Sequence, residues 1–88
     1  MSARYRIIMY ERQTDRVGGI IDVPSYLEPQ ALAAAGIPDP TELGEIELHD
    51  QQVRALAVLL TFHQNTGRYI YHFETLTGTR EGLSQSLA

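Results

Sequence analysis

Three histidines, five tyrosines and eleven acidic side chains are the groups in this 88-residue chain that could carry chemistry. The seven basic residues are all arginine; lysine and cysteine are absent. Without lysine there is no Schiff base and no lysine general base. Without cysteine there is no disulfide framework, no thiolate zinc site and no thiol nucleophile.

Histidine is the commonest metal ligand and the usual general base near neutral pH. His63 falls late in a predicted helix and His72 in the strand that follows. If that strand runs back along the helix, rises of about 1.5 and 3.3 Å per residue set the two roughly 10 Å apart along the axis. That spacing does not suit a shared metal. His72 and Glu74 share a strand face and a third ligand could come from elsewhere in the fold, but partly buried or surface histidines are the simpler reading, and no metal or cofactor is assigned. The patterns G-x-S-x-G, H-E-x-x-H, Walker A and G-x-G-x-x-G do not occur. Glu45 and Glu47 share a face only if a short strand forms there, and they read as a solvated edge. Ser25 and Ser84 have no visible base partner. No catalytic residue is assigned, and the balance leans away from an enzyme.

Two constellations remain. Arg4, Arg6, Ile8 and Tyr10 alternate onto one side of the first predicted strand, and Ile70, His72 and Glu74 onto one side of the last. If these strands are neighbours with those sides outward, Arg4, Arg6, Tyr10, His72 and Glu74 form a candidate ligand site. The same face, with Ile8 and Ile70, is also a candidate interface, because exposed apolar patches mark partner sites. The second constellation is the run Ala55–Phe62, apolar nearly all round. One sheet covers about half of a helix, so Val58 and Phe62, on a flank, need another cover. A second subunit or another part of the chain could supply it.

The elements that must position these groups follow from periodicity. Residues 4–11 and 17–23 read as a β-hairpin around Gln13-Thr14-Asp15. Gly18-Gly19 within its second strand signals a bulge or a close backbone approach. Glu28 to Ala35 reads as a short helix with Pro29 in its first turn and Gly36 as its left-handed stop. Two prolines at 38 and 40 make a loop. Glu45 to Leu48 is either a short edge strand or extended chain. Asp50 to Asn65 is predicted as a helix of about four turns. Its Leu48–Val53 pair has the spacing of a hydrophobic staple, and Gly67 lies just beyond its end. Arg68 to Thr75 alternates cleanly, with Tyr69, Tyr71 and Phe73 on the side the long helix should cover. The order β-β-α-(β)-α-β predicts an α+β domain, with a three- to four-stranded, mainly antiparallel sheet and two helices on one face. Residues 1–76 would form that domain, and 77–88 a flexible or loosely docked tail.

Charge divides the chain unevenly around its net of −4. Asp22, Glu28, Asp39, Glu42, Glu45, Glu47 and Asp50 give residues 22–50 seven acids and no base, and this middle would repel a nucleic acid. No apolar run approaches the length of a membrane span, and the first residues do not resemble a signal peptide. The expectation is a small soluble, cytoplasmic domain that acts by binding protein, including a second copy of itself. The alternative is a small-ligand-binding protein or enzyme using the open sheet face.

Overall fold

A computed structural model describes residues 4–37 and 44–76. Of the loop expected at residues 37–41, only Ile37 is among the described residues, and the expected tail at 77–88 lies outside them. The chain order is β1 (Tyr5–Glu11), β2 (Val17–Asp22), a 3-10 turn (Ser25–Leu27), α1 (Glu28–Ala35), β3 (Gly44–Glu47), α2 (Asp50–Leu60) and β4 (Tyr69–Thr75). The four strands form one antiparallel sheet in the order β2-β1-β4-β3. The α+β architecture is as expected, and the chain before α2 does form an edge strand.

Alternation decides which side chains enter the core. Tyr5 and Ile7 from β1 and Tyr71 and Phe73 from β4 meet Ala31 and Ala35 of α1 and Val53 and Leu56 of α2 in one buried cluster. Both helices therefore cover the same sheet face. Apolar residues at positions 53, 56 and 57 are what bury α2. Gly36, with φ 69°, closes α1: its N–H donates to Ala33 and that of Ile37 donates to Leu32, a left-handed cap that only glycine adopts at little cost.

The hairpin carries the bulge expected from its paired glycines. Met9 faces Gly19, yet Tyr10 faces Val17, so Gly18 is the extra residue. A Cβ on Gly18 would lie 2.7 Å from Tyr69 Cε1 and 3.3 Å from Glu11 Cγ. Gly18→Ala is therefore expected to cost about 1–3 kcal/mol as the ring is pushed aside. Urea denaturation of the two proteins measures it, and an unchanged midpoint would mean that the ring has room to move.

The long helix is shorter than its apolar pattern suggests. It stops at Leu60, and Thr61 takes the left-handed conformation at φ 59°. The N–H of Phe62 then donates to Ala57, and the Phe62 ring turns inward to stack on Tyr71, with centroids 5.9 Å apart. A left-handed threonine is strained by roughly 1–2 kcal/mol, and burying much of a phenylalanine against the core offsets it. Asn65 follows, its N–H donating to the Tyr71 hydroxyl at 2.8 Å. Gly67 sits in the turn before β4 and does not end the helix. No helix among the described residues is long and apolar enough to cross a membrane.

Candidate functional site

The sheet face opposite the helices carries the side chains of three cross-strand rows. Asp22, Arg6, Glu74 and Glu45 form the first; Ile20, Ile8, His72 and Glu47 the second; Val17, Tyr10 and Ile70 the third. Strands β1 and β4 are the central pair, so Arg6, Tyr10, His72 and Glu74 do come together on one face. Arg4 does not join them. It precedes β1, lies over the Tyr5 ring, and its guanidinium is 3.8 Å from Glu28 at the start of α1.

Five polar side chains of this face, Arg6, Tyr10, Glu45, His72 and Glu74, lie in contact with one another. Arg6 Nε donates to Glu74 Oε1 at 2.6 Å, a charge-assisted bond that lets Glu74 be buried, at 8% exposure. Tyr10 reaches past β4, donating its hydroxyl to Glu45 Oε2 at 3.0 Å, and its ring meets His72 edge-on at 4.9 Å. His72 Nδ1 is 3.1 Å from the same Glu45 oxygen. No hydrogen bond of acceptable geometry forms there, and that nitrogen is buried without one among the described residues. The histidine remains close enough for attraction when protonated, but it is not held as a catalytic base is held. Acid–base work needs groups free to exchange protons with a substrate, whereas Glu74 and Glu45 are already partnered by Arg6 and Tyr10. Among the described residues no group of three His, Asp or Glu side chains is placed to hold a metal ion.

The hydrogen bond to Glu45 is the first reason that the Tyr10 phenol titrates above its ordinary 10.0; burial and the Glu45 and Glu74 charges add to it, while Arg6 opposes. A raised phenol pKa stabilises the fold fully below pH 10.0, and that contribution is lost as pH rises through the folded value. The stability difference between the wild type and Tyr10→Phe should be flat up to the ordinary phenol pKa and shrink above it. Urea midpoints across that range test this; a constant difference throughout would show that the Glu45 bond does not matter.

Glu45 is the residue that sequence reasoning missed. Its alternation with Glu47 was the available signal, but the partner Tyr10 lies two strands away. Only the strand order brings them together.

The apolar residues fall in different settings. Ile8 is 4% exposed and lies outside the main core, between Ile20 and His72, so it offers little contact area. Ile70 is half-buried opposite Tyr10. Phe62, one of the two helix-flank candidates, is covered within the chain by Tyr71. Val58, the other, is 79% exposed. Two residues of β2, Val17 and Ile20, are also more than half exposed, at 54% and 52%.

The two edges of the sheet are unlike. The β3 edge is four residues long and carries Glu45 and Glu47, the charges with which natural edges repel further strands. The β2 edge has six residues with one charge, Asp22. Val23 donates to Tyr5, so odd-numbered β1 residues bond to β2; Leu76 donates to Arg4 and Arg12 to Arg68, so even-numbered ones bond to β4. Antiparallel alternation then turns the N–H and C=O groups of Ile20 and Asp22 away from β1. The bulge at Gly18 and Pro24 bracket a regular stretch between them.

Comparison with known proteins matched no protein-family model, no curated protein and no solved structure.

Proposed function

We propose that the chain is a protein-binding module whose partner is a second copy of itself, joined edge to edge through β2. The observation that carries this reading is the β2 edge. Its outward N–H and C=O groups at Ile20 and Asp22 have no neighbour among the described residues, and half-exposed Ile20 sits beside them. An antiparallel pairing about a two-fold axis at Ile20 sets Ile20 against its equivalent. It holds the two Asp22 carboxylates about 13 Å apart along the strands. The sheet would then run unbroken through eight strands, with only the charged β3 edges left at its ends. The face of Arg6, Tyr10, Glu45, His72 and Glu74 keeps that sheet rigid in this reading and does not bind a substrate. A regulatory or accessory role in the cytoplasm fits a cysteine-free chain of this kind.

Sedimentation equilibrium from micromolar to millimolar concentration tests the proposal. A monomer–dimer equilibrium supports it, and a chain that stays monomeric throughout contradicts it.

A further inference from the structure

A second site lies at the end of the sheet away from the edge contact. The turn joining β1 to β2 and the turn between α2 and β4 enclose an open cleft of about 340 Å³, lined by Glu11, Arg12, Gln13, Thr14, Gly67 and Arg68. Each arginine makes a polar contact within the chain. Arg12 Nε donates to the Thr66 carbonyl at 2.9 Å, which leaves its terminal nitrogens without an acceptor among the described residues. Arg68 donates one terminal nitrogen to Glu11 at 3.2 Å and lies over the Tyr69 ring, 5.2 Å from its centroid. Glu11 is further occupied by the Thr14 hydroxyl at 3.0 Å. The backbone N–H groups of Gln13, Thr14 and Gly67 have no acceptor among the described residues either. The residues lining the cleft thus have more donors than acceptors to satisfy them, and one positive charge more than their single carboxylate cancels.

The geometry points to this cleft as a binding site for a small phosphate-bearing anion. A guanidinium presents paired N–H groups that match the oxygens of a phosphate, and one already anchored through Nε loses less freedom on binding. A carboxylate has two oxygens to offer, enough for one guanidinium. A phosphate has more, so it can accept from both arginines and from backbone N–H groups at once while Glu11 stays in place. A long polyanion is disfavoured, because the chain as a whole carries −4.

The experiment is a titration of the isotope-labelled full chain with inorganic phosphate, followed by amide chemical shifts at constant ionic strength, with chloride and acetate in parallel. Saturable shifts confined to residues 11–14 and 66–68, stronger for phosphate than for acetate, are expected. Arg12→Gln should weaken them at least tenfold, and Arg54→Gln, at an exposed position on α2, should leave them unchanged. Non-saturating shifts, equal response to acetate or chloride, or equal loss in Arg12→Gln and Arg54→Gln would each overturn the assignment. Amide spectra of the variants without phosphate confirm that both remain folded.

Discussion

Ile20→Lys is expected to raise the dissociation constant of the proposed β2-paired dimer by at least about 100-fold, some 2.7 kcal/mol. At an axis through position 20 the substitution sets two ammonium groups opposite each other, where like charges are most unfavourable. The single chain should tolerate it, because Ile20 is half exposed on an edge strand and lysine is a natural edge residue. Unchanged urea stability of the monomer together with lost association separates an interface effect from a folding defect. Val58→Lys is the matched test of the helix flank: at 79% exposure it should alter neither stability nor association. If Val58→Lys dissociates the dimer and Ile20→Lys does not, the copies meet through α2 and the β2 reading is wrong.

Phe73→Ala is expected to cost about 3–5 kcal/mol, more than Gly18→Ala or Tyr10→Phe. Phe73 is fully buried at the centre of the sheet, between Ile7 on β1 and Ile46 on β3, with the Tyr5 ring 5.9 Å away. No small side chain can fill the space from one side, because β4 is flanked by strands and its inner face lies under the helices. A chain of 88 residues has about 4–13 kcal/mol of total stability at about 0.05–0.15 per residue. The variant should therefore lose about a quarter or more of it and melt about 12–40 °C lower. A calorimetric or far-ultraviolet melt measures the shift. A decrease of only a few degrees would mean that α2 does not pack on β4 as described.

Much of the fold was legible because local chemistry and global architecture agree. Gly18-Gly19 inside an apolar run announced the bulge, Gly36 after an alanine stretch announced the end of α1, and the alternation of Tyr69, Tyr71 and Phe73 identified the face that the helices cover. The end of α2 was not legible. Its apolar pattern continues to Phe62, and no glycine marks residue 61; the termination is tertiary, set by what Phe62 gains on Tyr71. For the same reason Phe62 is no longer available to a partner, whereas Val58 is.

The open-face cluster was half legible. Alternation alone placed Arg6 and Tyr10 on one side of β1, and His72 and Glu74 on one side of β4. It could not say that β4 lies between β1 and β3, and so it could not pair Tyr10 with Glu45. The same missing strand order hid the contrast between edges, since neither β2 nor β3 is recognisable as an edge until its neighbours are known. Arg4 illustrates the limit of the pattern: it continues the alternation of β1 by number but lies just outside the strand, where Glu28 attracts it.

Hydrogen exchange at the Ile20 and Asp22 amides, measured as a function of protein concentration, tests edge pairing most directly. Within one chain these two N–H groups point outward and have no acceptor among the described residues, so in dilute solution they should exchange rapidly, unlike the Ile21 amide that bonds to β1. Pairing through β2 predicts that both become protected as concentration rises, in step with dimer formation. Continued rapid exchange at Ile20 and Asp22 in a sample shown to be dimeric would contradict it.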